Sequence, residues 1–258
     1  MKNALHAEWT KLRTIPSNAW LLLAAAALTV VIGATAGAAV KCPTGNCTED
    51  PAKISLTGIY LSQAVVAVVA VMAVSGEYGT GMIRLTLAAM PHRLTVLAAK
   101  AAIVTGPVLA TGAVAVLGSL LAGRLILPGN GIGPAHGYPS LSLSDGPVLR
   151  AACGSVLYLA LIALLSIGVA AAVREAAAAI GVVLGLLYLF PILSAALGNT
   201  SASRHIQEIG PMTAGMNIEA TVGLSGLPMS PWAGLGVLTA WACGALITGG
   251  LVLRLRDA

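Results

Sequence analysis

The chain has 258 residues, of which 57% are hydrophobic and only 9% charged, with a formal net charge of +5. Soluble domains carry about a quarter charged residues, so too few are present here to cover a water-facing surface. A soluble globular fold is excluded. A β-barrel is excluded as well, because the apolar runs are continuous instead of alternating at every second residue. The chain reads as an all-α polytopic membrane protein, and its 30 glycines suit closely packed transmembrane helices. A spanning helix needs roughly 20 apolar residues to cross about 30 Å of hydrocarbon. Six stretches qualify, at about 19–40, 55–75, 95–121, 150–173, 176–198 and 232–253. They form one transmembrane domain over 1–258, with no internal repeat and no soluble domain.

Residues 1–18 precede the first span. Within them Leu5, Trp9 and Leu12 fall at helical spacing, with Glu8, Lys11 and Arg13 turned away from them. This pattern predicts an interfacial helix with its Trp at headgroup depth, ended by Pro16; anchoring and partner docking are both open roles for it. No cleavable signal peptide is expected, since the first apolar run is too long for an ordinary signal core. Gly33 and Gly37 in span one, like Gly181 and Gly185 in span five, have the spacing that lets helices approach closely. After span one, Cys42 and Cys47 frame the turn-rich segment Cys-Pro-Thr-Gly-Asn-Cys. A disulfide, free thiols and a metal pair are the three readings; a disulfide suits an oxidising exterior best, and no other Cys or His accompanies them nearby.

Span two ends in a charged, glycine-bearing island, Ser75-Gly76-Glu77-Tyr78-Gly79-Thr80-Gly81-Met82-Ile83-Arg84. It is expected as a short turn emerging at a membrane face. On a helix Glu77, Gly81, Arg84 and Ala88 would share one face, with the glycine allowing another surface to approach between an acid and a base. In span three, Lys100 is the one clear ionisable group within a span, and its flexible stem is expected to snorkel to the headgroups. Pro107 and Pro191 interrupt spans three and five and are expected to kink them. Arg174-Glu175 separates spans four and five as a tight helical hairpin. The loops 128–148 and 199–231 are long; the apolar content of the second (Ile206, Ile209, Met212, Met216, Ile218) predicts one or two short helices packing back over the bundle or dipping into the membrane.

An even number of spans puts both termini on one side. With that side cytoplasmic, Lys2, Lys11, Arg13, Arg84, Arg93, Lys100, Arg174, Arg254 and Arg256 lie inside, against Lys41, Lys53, Arg124, Arg150 and Arg204 outside. The excess of basic residues favours cytoplasmic ends. Orientation thus accounts for the positive charge without a nucleic-acid partner. No P-loop, zinc-protease helix motif, nucleophile elbow or paired intramembrane Asp is present, and the four histidines are scattered. The chain is therefore not expected to be an enzyme, nor to hold a metal or cofactor of its own. No relay of Asp, Glu and His runs through the spans, which argues against an ion-coupled carrier.

Four segments in order carry a resemblance to a known family: Ala7-Glu8-Trp9-Thr10-Lys11-Leu12-Arg13, Gly76–Arg84, Pro211-Met212-Thr213-Ala214-Gly215 and Leu227-Pro228-Met229-Ser230-Pro231-Trp232-Ala233-Gly234. With the basic tail Arg254-Leu255-Arg256, they resemble the ABC-2 type permease family, in its small six-helix form encoded apart from its ATPase. The resemblance implies the permease subunit of an ABC exporter in the cell membrane, pairing with a second permease as homodimer or heterodimer. Two copies of a cytoplasmic ABC ATPase subunit would complete the complex and bind the ATP and Mg. Residues 76–93 would be the coupling segment, with Glu77, Tyr78, Gly81 and Arg84 at the ATPase; Glu8, Trp9, Lys11 and Arg13 would lie on the interface helix beside it. Spans poor in charge favour an amphipathic or hydrophobic substrate, such as a drug, a small peptide or a lipid-like molecule. The alternatives are an ion-coupled secondary transporter and a non-transporting membrane scaffold or sensor.

Overall fold

Six helical segments are long and apolar enough to cross a membrane. The computed structural model describes residues 16–42, 49–79, 82, 93–134, 138–198 and 200–255, among which there is no strand. The spans are α1 (Pro16–Ala39), α2 with α3 (Pro51–Leu56 and Ile59–Gly79), α4 (Arg93–Ile126), α5 (Gly146–Val173), α6 (Ala176–Leu197) and α9 (Pro231–Leu255). Between α6 and α9 lie α7 (Ser201–Ile209), α8 (Pro211–Gly215) and the 3-10 turns Met216–Glu219 and Leu224–Gly226. These are the short helices that the apolar content of 199–231 predicts.

The second and third spans run further than their apolar cores alone indicate. Asp50 caps α2, accepting from the backbone N–H groups of Ala52 and Lys53 at 3.0 and 3.3 Å, so helix begins at Pro51. At its other end this span stays helical through Gly79, beyond the expected turn at Ser75. α4 has 34 residues, about 50 Å of helix, which exceeds the hydrocarbon thickness and must protrude or tilt. It continues through Pro107, as α6 does through Pro191.

α5 is the hub, packing against α3, α4, α6 and α9. Tyr158, Ile162, Leu165, Ile167 and Ala170 along it are fully enclosed. Lipid is as apolar as leucine, so helices in a membrane associate through close backbone approach and not through apolar burial. Gly168 on α5 meets Gly249 on α9 in that way: a Cβ at 168 would lie 2.4 Å from the Ala245 carbonyl carbon, and one at 249 would lie 2.5 Å from the Gly168 oxygen. Gly33 serves a contact inside the chain, against the Ser55 carbonyl of α2. Gly181 and Gly185, by contrast, have nothing within 4 Å and lie on an open face of α6.

Candidate functional site

Charged groups gather at one end of the bundle. Glu77 and Tyr78 sit in the last turn of α3, and α4 starts at Arg93 with Lys100 two turns in. The Lys100 Nζ lies 2.6 Å from Glu77 Oε1, with the lysine side chain 4% and the glutamate 12% exposed. The Ala73 carbonyl is 3.4 Å from the same ammonium. Two arginines then close on the end of α9, whose last carbonyls have no partner within their own helix. Arg93 donates to Leu253 O at 2.7 Å and Arg174 donates to Val252 O at 3.1 Å. Cations at a helix C-terminus also complement its dipole. The Arg174 guanidinium lies 5.6 Å from the centre of the Tyr78 ring, a cation–π distance.

The hairpin between α5 and α6 aims Arg174. Its φ of 69° is left-handed, the sole such non-glycine residue among those described. A glycine would reach that conformation without cost, so the arginine is held there by its side chain's contacts. Glu175 follows in extended geometry and caps α6, accepting from Ala178 and Ala177 N–H. Those backbone hydrogen bonds, Ala178 first, hold its carboxyl below the usual glutamate range.

The outcome for Lys100 differs from the snorkelling expected of it. The ammonium turns inward, because antiparallel spans two and three bring an acid and a base to equal depth. A buried charge with a partner at 2.6 Å needs no headgroup. Glu77, expected in an emerging turn, is half-buried in helix.

A second polar assembly lies at the opposite end. Asp50 accepts from Thr221 N and, at 3.0 Å, from Val222 N; the Thr221 hydroxyl donates to it at 2.6 Å. One carboxylate thus caps α2 and clamps the segment after the Met216–Glu219 turn. Arg150, in the first turns of α5, donates to Ala220 O. Inside this assembly Tyr158 donates to Gln63 Oε1, and Gln63 Nε2 donates to Tyr60 O at 3.0 Å and lies 3.1 Å from Met212 Sδ. Tyr188 donates to Tyr60 O. Glu219 is 1% exposed, and neither carboxylate oxygen has a hydrogen-bond partner. Burial pushes its carboxyl well above the usual range; the Lys53 charge opposes that shift and the Asp50 charge adds to it.

Of the residues singled out from sequence, Glu77 and Tyr78 come together with Lys100 and Arg174. Gly81 and Arg84 lie outside the described residues, as do Glu8, Trp9, Lys11 and Arg13. Cys42 is disulfide-bonded and buried, its Sγ 3.4 Å from the Tyr138 hydroxyl; Cys47, the neighbour that the spacing nominates, is outside the described residues. Cys153 and Cys243 are free. Among the described residues no three His, Cys, Asp or Glu side chains converge as metal ligands. Sequence reasoning missed Arg93 and Arg174 as caps on α9, and Glu219 as a buried group. For Gln63 and Tyr158 a signal existed: both are polar residues inside otherwise apolar spans, where polar side chains seek one another. No protein-family model and no curated protein matches the chain.

Proposed function

We propose that this chain is the membrane-spanning permease subunit of an ATP-driven exporter of the ABC-2 type, with its ATPase on a separate chain. The observation that carries the reading is the cluster at the Glu77 end. Residues 76–93, the proposed ATPase-contacting segment, carry Glu77 and Tyr78 near one end and Arg93 at the other. Those end residues are tied to α4, to the α5–α6 hairpin and to the end of α9. A push on that segment would reach four spans at once without passing through the apolar core. Such a linkage is what a bundle without a nucleotide site of its own requires in order to be driven from outside.

In this reading both chain ends and the cluster face the cytoplasm, in the cell membrane. Two ATPase subunits and a second permease complete the machine, and ATP acts by favouring one arrangement of the spans over another. An apolar groove of about 480 Å³ between α4, α5 and α9, lined by Leu109, Leu157, Leu161, Trp232 and Leu235, supports a hydrophobic or amphipathic substrate.

The test is co-purification from the native host followed by reconstitution in proteoliposomes. An ATPase bearing a P-loop should accompany the chain, and transport should need ATP. Transport driven by an ion gradient without ATPase would select the secondary-carrier reading, and partner binding without flux the scaffold. For the docking segment, Arg84→Ala is the informative variant, expected to lower coupled ATP hydrolysis while insertion is preserved. Glu77→Ala alone would confound docking with loss of the Lys100 partner.

A further inference from the structure

The end of the bundle opposite the cluster holds a group that the exporter reading does not use. Glu219 closes a 3-10 turn packed against α9, α5, α8 and α2. Its side chain is sealed, and both carboxylate oxygens lack a hydrogen-bond partner. An ionised carboxylate in such a place would be stripped of water with nothing in exchange, whereas the neutral acid loses far less. The charged and titratable groups around it are few. α2 and its cap offer Lys53 and Asp50, α3 offers Tyr60, α5 offers Arg150 and Tyr158, and α6 offers Tyr188. α8 has no titratable residue, and α9 carries Arg254 only at its far end. Lys53 is exposed, and no ion pair joins it to Glu219 among the described residues. A metal ion of the calcium or magnesium kind would need several converging oxygens, and no acidic cluster supplies them among the described residues.

We propose that Glu219 is a proton-binding site, whose neutral acid locks the Met216–Glu219 turn into the bundle and whose ionisation loosens it. The turn is pinned on its C-terminal side by charged groups, Arg150 at Ala220 and Asp50 at Thr221 and Val222. Release of the proton sets a second carboxylate against Asp50 and draws it toward the Lys53 head at the surface. The turn then has a reason to leave its seat on α5 and α9. Proton occupancy thereby becomes a control on this end of the bundle, whatever energy source drives the other.

The sign of the effect follows from the raised carboxyl. The folded chain holds the proton at pH values where the unfolded chain has lost it. The stabilisation is therefore complete below the ordinary glutamate value and is lost as pH rises through the folded one. The experiment is thermal unfolding of the purified full chain in detergent, wild type beside Glu219→Gln, at steps between about pH 5 and pH 8. The wild-type melting temperature should fall with pH by several degrees relative to the variant, which keeps every other titrating group. Parallel curves would overturn the proposal. Should Glu219→Gln not accumulate, a hydrophobic carbodiimide applied to the wild type reads the same proton, since it reacts with the protonated acid. Peptide mass spectrometry should find modification at Glu219 that declines as pH rises; no modification, or a level indifferent to pH, would overturn it.

Discussion

Two side chains at the Glu77 end separate packing from transmission. Lys100 is a buried cation whose removal leaves the Glu77 carboxylate without its ammonium at 2.6 Å. Breaking one side of a buried pair costs far more than removing both, because the surviving charge stays desolvated. Lys100→Met should therefore destabilise by about 3 kcal/mol, and the double variant with Glu77→Gln should recover more than half of that loss. A double-mutant cycle on thermal unfolding checks it. Arg174 tests something else. Arg174→Gly relieves a left-handed residue by about 1 kcal/mol while giving up the Tyr78 stacking and the Val252 hydrogen bond, a loss of similar size. Stability should change by less than about 1 kcal/mol. If the arginine transmits force between the hairpin and α9, transport should fall at unchanged stability, and Arg174→Lys should restore it only in part, since an ammonium does not stack as a guanidinium does.

At the level of elements, Asp50 decides how α2 and the segment after Glu219 meet. Asp50→Ala removes a helix cap and three hydrogen bonds from Thr221 and Val222, and should cost about 3 kcal/mol. Asp50→Asn keeps an acceptor for the cap and should cost about 1 kcal/mol. Limited proteolysis between Gly223 and Ser230 should accelerate in the first variant more than in the second. The elements themselves were legible in the sequence because span length is set by the bilayer and not by packing: all six apolar runs became helices. Their ends were less legible. Asp50 extends the second span at one end by capping it, and Glu77 extends it at the other by finding Lys100, neither of which a count of apolar residues registers. The site was half legible for the same reason. Glu77 and Tyr78 stood out as polar residues beside an apolar run, whereas Arg93, Arg174 and Glu219 take their roles from partners about 80 to 170 residues away. Glu219 in particular reads as one acid in a long loop; the packing of Ile218 against Gly154, where a Cβ would come within 2.0 Å, draws that loop into the bundle together with the Arg150 and Asp50 contacts.

For the molecule as a whole, the two polar assemblies define opposite ends. α1 finishes at the Asp50 end, where Asn130 donates to Gly37 O at 2.8 Å, and α9 finishes at the Glu77 end between Arg93 and Arg174. The start of α1 and the finish of α9 therefore share the Glu77 end. Arg93, Lys100, Arg174 and Arg254 lie there against Glu77 and Glu175. The Asp50 end instead gathers acids and bases in near balance, with Asp50, Asp145 and Glu219 beside Lys53, Arg124 and Arg150. Short basic flanks are retained on the cytoplasmic side during insertion, so the Glu77 end should face inward. Single cysteines report this in a C153S/C243S background. Ser225→Cys, exposed beside the Asp50 clamp, should react in intact cells with a membrane-impermeant thiol reagent. Arg254→Cys should react only after the cells are opened. The reverse pattern would place the ionic cluster beyond the reach of any cytoplasmic ATPase and would remove the basis for an ATP-driven permease. It would also turn Glu219 toward the cytoplasm, where internal and not external acidity would set the state of its turn.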